Sequence, residues 1–375
     1  MQRRVFLKKA GAFTILVIGG AVFRSYGEDI PEIGNRTAFE PWKTWNEDSR
    51  KRPLLFVRAA IISSNAYNSQ PWLFKLSQSS IELYADLSRN LGAFDPYVRE
   101  LHFSLGCALE NLLIAAGANG YKTSLTLLPG KLEPVSQAPK PELVARVDLS
   151  SGPRMFSDLY HAIPHRHTNR DPFDAQKPVP SEFVEALAGI ANEEKQVKLF
   201  LFTEEVERKK IADLIASASE KFLSDPDVRN STRVWFRTTP EQYEKLADGV
   251  YVPAPPPSSQ TGPLETYRTL MLTGRLFGII AVKDRYDREQ TLRAGRVWQR
   301  AHLLATARGL AARPANGAVE IIDHERRLNL NMKSSVQVAE ITGDASWQPT
   351  FMFYMGYATI SAVASARRSV EKVIV

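Results

Sequence analysis

The sequence of 375 residues contains a single cysteine, Cys107. One cysteine cannot form an intramolecular disulfide, so the stability of the protein must come from its hydrophobic core and from any ligand that it binds. Cys107 lies within a strongly apolar segment, and this position favours a small core residue over a redox centre. A disulfide-stabilised fold is therefore excluded.

The glycine motifs that bind nucleotides are also missing, since the chain has neither a G-x-G-x-x-G pattern nor a P-loop. His161, His165 and His167 are close enough in sequence to suggest a metal site. Pro164 interrupts the helix that an i, i+4 pair of ligands would need. The sequence therefore predicts no metal site and no dinucleotide-binding domain of the usual kind.

Positive charge is scarce outside the N-terminus, although the formal net charge is +7. Five basic residues and no acidic residue lie within the first 27 positions: Arg3, Arg4, Lys8, Lys9 and Arg24. Without them, 43 basic residues face 41 acidic ones and leave a charge of only +2. This balance gives no support for a nucleic-acid partner.

The first 27 residues have the pattern of a twin-arginine signal peptide. Arg3 and Arg4 precede an uncharged apolar run over 10–23, which ends at Ser25-Tyr26-Gly27. The run is shorter than the roughly 20 residues that span a bilayer, so cleavage after about Gly27 is expected, with an uncleaved anchor as the alternative. This route exports folded proteins, often with a cofactor loaded, so the pattern predicts a periplasmic protein with a cofactor.

The rest of the chain predicts an α+β protein, because helices and strands do not alternate regularly. Residues 28–54 are read as a polar surface arm, and the Pro-rich segment 251–263 either as a stiff surface loop or as part of a cover over a cleft. Predicted helices cover 54–63, 95–117, 180–190, 204–223, 264–281 and 288–312, and predicted strands cover 72–76, 81–86, 123–128, 143–149, 198–202 and 351–358. The helix that starts at Asp95-Pro96 is expected to be buried nearly all round.

A polar turn lies between the first helix and the first strand of this pattern, over residues 63–72. Asn65, Asn68, Ser69 and Gln70 carry amides or a hydroxyl on short stems, and Pro71 is expected to hold Gln70 in an extended conformation. Such a turn can present hydrogen-bond donors and acceptors to a planar heterocycle. The alternative is an ordinary polar turn anchored by Trp72.

Two basic clusters follow later in the chain. Arg166-x-Thr168-x-Arg170 places two guanidinium groups and a hydroxyl on one face of an extended segment, and Arg367-Arg368 forms a second cluster. Guanidinium groups bind phosphate oxygens through paired hydrogen bonds. Taken separately, a basic cluster of this kind is more often a solvated surface than a binding site.

Together, these motifs resemble the flavin-dependent nitroreductase superfamily. The resemblance rests on Asn-Ser-Gln-Pro-Trp at 68–72, Arg-x-Thr-x-Arg-x-x-Phe at 166–173 and Arg-Arg-x-x-x-x-Val at 367–373, with local likenesses at 106–111, 248–250 and 295–310. The chain looks most like the Acg-type branch, in which two diverged halves are fused into one chain. The likeness covers roughly residues 55–375.

The resemblance implies a nitroreductase-like fold with a first half at 55–150 and a second half at 151–375, which form a pseudo-dimer around one FMN. A monomer is therefore expected. Because no arginine pair precedes the turn in the first half, a second site should be degenerate. The residues implied in FMN binding come from both halves: Asn65, Asn68, Ser69, Gln70, Arg166, His167, Thr168, Arg170, Arg367 and Arg368.

The function implied by the resemblance is an FMN-dependent oxidoreductase that passes electrons to nitro-aromatic, quinone-like or other planar small-molecule acceptors. The flavin itself carries the chemistry, so no catalytic side chain is required. The alternative is a flavin-binding or storage protein with little turnover, whose site is covered by the stretch 235–263. The family usually takes hydride from NAD(P)H, so after export either another donor serves or the protein works before export. The twin-arginine export machinery is the expected protein partner.

Overall fold

The computed structural model describes the backbone of residues 13–18, 21–26, 36–47, 52–252 and 264–375, and the side chains of 36–47, 53–252 and 267–375. Within the predicted signal peptide, β1 (Phe13–Ile18) pairs with β2 (Ala21–Tyr26) in an antiparallel hairpin. The described residues do not include Arg3, Arg4, the predicted cleavage point after Gly27 or most of the Pro-rich segment.

The remaining elements alternate irregularly between helix and strand. The described helices are α1 (Glu40–Lys43), α2 (Arg52–Ala60), α3 (Arg99–Ala118), α4 (Asp158–Ala162), α5 (Ser181–Ile190), α6 (Glu205–Ser224), α7 (Pro226–Arg233), α8 (Pro240–Leu246), α9 (Leu264–Leu272), α10 (Arg288–Ala307), α11 (Gly317–Arg327) and α12 (Lys333–Thr342). The strands that follow the hairpin are β3 (Trp72–Leu76), β4 (Ser80–Ala85), β5 (Tyr121–Leu127), β6 (Glu142–Ser151), β7 (Val197–Phe202), β8 (Phe236–Arg237), β9 (Val250–Tyr251), β10 (Leu276–Val282), β11 (Ala311–Pro314) and β12 (Gln348–Gly356).

The first predicted half contributes a four-stranded antiparallel sheet in the order β3-β4-β6-β5. Its four strands match the predicted ones to within two residues at each end. The start of α3 was predicted wrongly at Asp95-Pro96: the helix begins at Arg99, because Val98 before it has a left-handed φ of 52°. Asp95 still satisfies the helix start, since its carboxylate accepts a hydrogen bond from the backbone N–H of Leu101.

The second predicted half contributes another four-stranded antiparallel sheet, in the order β11-β12-β10-β7. The predicted helix over 264–281 is wrong, because α9 ends at Leu272 and the apolar run from Leu276 becomes the central strand β10, which is buried along its whole length. The predicted helix over 288–312 also ends early. Gly309, with a φ of +71°, turns the chain from α10 into β11.

The two predicted halves meet where α3 crosses α10 at Gly106 and Gly295. A Cβ atom on Gly106 would lie 2.1 Å from the carbonyl oxygen of Leu292, and one on Gly295 would lie 2.0 Å from that of Phe103. Only glycine permits so close an approach of the two backbones. The helix α3 is buried nearly all round, as predicted. Within the described residues it is the one helix with the length and hydropathy of a membrane span, but 83% of that window is buried inside the protein.

The N-terminal arm and the C-terminal segment both contribute residues to the core cluster that contains α2, α3 and the sheet of the first predicted half. The prediction of a surface arm is wrong for residues 36–47, because Phe39, Trp42 and Trp45 are buried in the main core. At the other end, the backbone N–H of Val375 donates to the carbonyl of Phe74 in β3. This course carries residues 363–368 past the polar turn at 63–72, and so brings the two chain segments of the predicted site together.

Candidate functional site

The polar turn at 63–72 has an unusual backbone. Tyr67, Asn68 and Gln70 have φ values of 51°, 51° and 50°, in the left-handed region that non-glycine residues seldom adopt. The prediction that Pro71 keeps Gln70 extended is therefore wrong. Such residues typically cost about 1–3 kcal/mol each and persist where the surroundings fix them, often at functional sites.

Tertiary hydrogen bonds hold this turn in place. The Asn68 side-chain amide donates to the carbonyl of Ala366 at 2.8 Å, and that of Gln70 donates to the carbonyl of Ala247 at 2.8 Å. The backbone N–H of Arg368 donates to the Gln70 side-chain oxygen at 2.9 Å. The C-terminal segment and the loop after α8 thus help to fix the turn, together with a local hydrogen bond from the backbone N–H of Gln70 to the side-chain oxygen of Asn65 at 2.9 Å.

Arg166 and Arg367 approach the turn from the second half. The Nη2 atom of Arg166 donates to the carbonyl of Ile62 at 3.2 Å, and the Nη2 atom of Arg367 donates to the carbonyl of Ser63 at 3.1 Å. Both guanidinium groups are almost completely buried. The predicted meeting of the early turn with the later arginines is therefore what the structure shows.

Neither of these arginines has a carboxylate partner among the described residues, and the Nε atom of each lacks any hydrogen-bond partner there. Burial lowers the pKa of Arg166 to about 10. Burial and the nearby charge of Arg166 lower the pKa of Arg367 to about 9. Buried charges are normally paired, because desolvation is costly. The pair therefore has the electrostatic character of a site for an anion.

The residues around these arginines form what we call the anion compartment. Its predicted members are Asn65, Asn68, Arg166, His167, Thr168, Arg170 and Arg367, and they are joined by Phe39, Ser64, Tyr243, Gly249, Val250, Tyr251, Val363, Ala364 and Ser365. Burial and the charges of Arg166 and Arg367 lower the pKa of His167 to about 3, so its ring is neutral at physiological pH. Positive charge in this compartment comes from arginine alone.

A second space adjoins the first, and we call it the aromatic compartment. The two share Ser64, Asn65, Thr168, Arg170 and Val250. The aromatic residues that line the second space are Tyr67, Phe94, Phe103, Tyr267, Trp298 and Phe351. Phe103 of α3 stacks on Phe351 of β12 with ring centroids 4.3 Å apart, and Trp298 of α10 packs 4.7 Å from Phe351. Both halves therefore build its wall, which offers flat apolar surface to a ring system.

Three charged residues of the aromatic compartment carry no signal in the sequence. Arg313 is buried, and its Nη2 atom has no hydrogen-bond partner in the described part of the chain. Glu100 and Glu320 come from α3 and α11, and their side chains hydrogen-bond each other. Burial raises the pKa of both carboxyls, and that of Glu320 lies well above its usual range. A hydrogen bond between two carboxyl groups requires that one of them carry a proton, and burial favours that protonated form.

Three predicted site residues do not line either compartment: Ser69, Gln70 and Arg368. Ser69 and Gln70 are buried in the framework of the turn. The guanidinium group of Arg368 donates to the carbonyls of Gln70 and Lys372. Gln70 and Arg368 hydrogen-bond each other and so join the C-terminal segment to the turn, whereas the carbonyl of Ser69 accepts a hydrogen bond from Arg89.

Comparison with known proteins points to one superfamily, although no protein-family model matches the chain. Two curated proteins from two strains of Mycobacterium tuberculosis, each named "Putative NAD(P)H nitroreductase", are 25% identical over 340 residues. The alignment covers 84% of this chain and 88% of each relative. This similarity supports the nitroreductase superfamily.

Solved nitroreductases also resemble the structure. An FMN-dependent enzyme of Mycobacterium smegmatis in complex with NADPH is 15% identical and aligns with 57% of this chain and 96% of its own, with a TM-score of 0.40. A nitroreductase of Desulfitobacterium hafniense with bound FMN is 11% identical and aligns with 58% of this chain and 98% of its own, with a TM-score of 0.38. The fold described above is α+β, as the sequence predicted for this superfamily.

Proposed function

We propose that this protein is an FMN-dependent oxidoreductase of the nitroreductase type. The observation that carries the proposal is the pair of buried guanidinium groups, Arg166 and Arg367, which lack carboxylate partners and face a cavity continuous with an aromatic one. Relatives named as nitroreductases, and solved neighbours with bound FMN, support the same assignment.

The residues present fit FMN. A phosphate group carries a charge of about −2, and the unpartnered Nε atoms of Arg166 and Arg367 are donors with no other use among the described residues. Thr168 adds a hydroxyl to the same compartment and Arg170 a further charge. The amides of Asn65 and Asn68 and the aromatic walls suit a neutral planar ring.

When bound, FMN supplies hydride or electron transfer to the acceptor. The chain itself would contribute binding, orientation and exclusion of water. The phosphate end would be held by Arg166, Thr168, Arg170 and Arg367. The ring would be contacted by Asn65 and Asn68. The acceptor class that suits the aromatic compartment is planar: nitro-aromatic or quinone-like small molecules.

The finer parts of the proposal rest on the sequence. The three motifs in their order support the Acg-type single-chain branch, with 55–150 and 151–375 as fused halves that form one flavin site within a monomer. The twin-arginine pattern supports export to the periplasm by the twin-arginine machinery with the cofactor already bound.

Flavin storage is the second candidate, and the buried arm favours it. Phe39 lines the anion compartment, and Trp42 packs directly on its arginines. A site covered in this way would retain flavin tightly and exchange it slowly. The two functions differ in how fast the reduced flavin gives up its electrons.

An absorbance spectrum of the purified protein tests both ideas. We expect a flavin spectrum that dithionite bleaches and that a quinone or nitro-aromatic compound restores rapidly. Slow recovery with tightly held flavin would favour storage. A protein that stays colourless after it is mixed with FMN would refute the assignment of FMN altogether.

A further inference from the structure

One tryptophan of the N-terminal arm lies against both arginines of the anion compartment. The ring centroid of Trp42 is 4.9 Å from the Cζ atom of Arg367 and 5.8 Å from that of Arg166. The same ring packs edge-on against His167, with centroids 4.6 Å apart. Trp42 lies outside residues 55–375, to which the resemblance to nitroreductases extends, and no motif identifies it.

An indole ring suits this position better than a carboxylate would. The face of an aromatic ring attracts a guanidinium group at distances up to about 6 Å. A carboxylate would also stabilise the charge, but it would occupy the same N–H donors that an anion needs. Trp42 therefore supports two buried charges without occupying any of their N–H donors, and the Nε atom of each arginine has no hydrogen-bond partner among the described residues.

The arm fixes Trp42 through contacts that do not involve the guanidinium groups. The indole N–H donates to the carbonyl of Ser365 at 2.7 Å. The carbonyl of Ala38 accepts a hydrogen bond from the backbone N–H of Arg367 at 2.8 Å, and the carboxylate of Glu244 accepts one from the N–H of Ala38 at 3.2 Å. The ring is thus held in place before any anion arrives.

We propose that Trp42 is a positioning residue of the anion compartment, which holds the Arg166 and Arg367 guanidinium groups aligned and charged for the terminal phosphate of a bound ligand. The identity of that ligand as FMN rests on the proposed function. The arrangement of Trp42, Arg166 and Arg367 does not depend on the proposed function.

The test compares FMN with riboflavin, which has the same ring and lacks the phosphate. Trp42→Leu removes the aromatic face and keeps an apolar side chain. We expect it to weaken FMN binding about tenfold, as the loss of two partly desolvated cation–π contacts implies, and to change riboflavin binding by less than about twofold. Quenching of flavin fluorescence during titration gives both dissociation constants.

Trp45→Leu is the matched control. Trp45 is buried in the same arm, but its ring packs on Tyr160 at 5.0 Å and not on either arginine. Its replacement should leave the ratio of FMN to riboflavin affinity unchanged. Trp42→Phe, which keeps a smaller aromatic face, should give an intermediate ratio and guards against loss of folding in the leucine variant.

An equal loss of FMN and riboflavin affinity in Trp42→Leu would overturn the proposal, because it would show that the ring only packs the arm. The proposed function would survive that result.

If the wild-type chain binds neither flavin, the proposed function fails, and inorganic pyrophosphate becomes the probe. Protection of the wild-type chain against heating by pyrophosphate, lost in Trp42→Leu and kept in Trp45→Leu, would support Trp42. Equal protection of all three proteins, or of none, would refute it.

Discussion

Replacement of Arg166 by methionine separates a ligand-binding role from a structural one. Methionine fills a similar volume without charge, so the substitution removes one guanidinium group from the anion compartment. A hydrogen bond to a charged group contributes about 1.5–3 kcal/mol. The dissociation constant for FMN should therefore rise roughly 10- to 100-fold, whereas that for riboflavin should hardly change.

Without ligand, the Arg166→Met protein should be as stable as the wild type or more stable. Arg166 is buried without a carboxylate among the described residues, and its desolvation is offset only by the Ile62 carbonyl and by contacts with His302 and Trp42. Replacing a buried charge with an apolar side chain of similar size is often neutral or stabilising. Differential scanning calorimetry without ligand should show a Tm for Arg166→Met equal to or above that of the wild type.

Arg368→Met is the control for this experiment. Its guanidinium group bonds to the carbonyls of Gln70 and Lys372 and does not line the compartment. We expect this variant to lose some stability and to keep the preference for FMN over riboflavin. The reasoning would be refuted if Arg166→Met lowered the ligand-free Tm strongly and left the FMN-induced rise in Tm intact.

Two further predictions concern the framework. In the folded protein burial raises the pKa of Glu320 above its ordinary value of 4.5. The unfolded chain therefore releases this proton first, and the free energy of unfolding falls as pH rises above about 4.5. Urea titrations at pH 5 and pH 8 should show a smaller fall for Glu320→Gln, and an unchanged difference in the free energy of unfolding between the two pH values would contradict the assignment. Gly106→Ala should lower the free energy of unfolding by several kcal/mol or prevent folding, because its Cβ atom would lie 2.1 Å from the carbonyl oxygen of Leu292. Gly189→Ala is the control, since its Cβ atom would have no neighbour within 4 Å and the change should be neutral or slightly stabilising. Equal thermal stability of the two variants would show that the helix crossing is loosely packed.

The sequence allowed the meeting of the turn with the arginines to be predicted, because three motifs in a known order define it. Arg367 lines the compartment and Arg368 does not, since adjacent residues of an extended segment point in opposite directions. Gln70 was misjudged because hydrogen bonds to Ala247 and Arg368 outweigh the local preference before proline. Tertiary contacts decided both cases, and a single sequence does not contain them.

The strand β10 and the residue Trp42 were missed for different reasons. An uninterrupted apolar run such as Leu276–Val282 is compatible with a buried helix or a buried strand, and periodicity alone does not distinguish them. Trp42 belongs to a short segment without a repeating pattern, and only its position against Arg166 and Arg367 reveals its importance. Arg313, Glu100 and Glu320 were likewise invisible, because isolated charged residues are usually solvated.

The crossing of α3 and α10 has an evolutionary consequence. If Gly106 is matched with Gly295, Phe103 of the aromatic wall corresponds in sequence to Leu292, which does not line that wall. In an assembly of two identical subunits, one gene must encode both positions with the same residue, so every change is made twice. In a fused chain of the kind proposed above, each position can mutate alone, which leaves one side free to specialise in ligand contact while its counterpart serves only to pack.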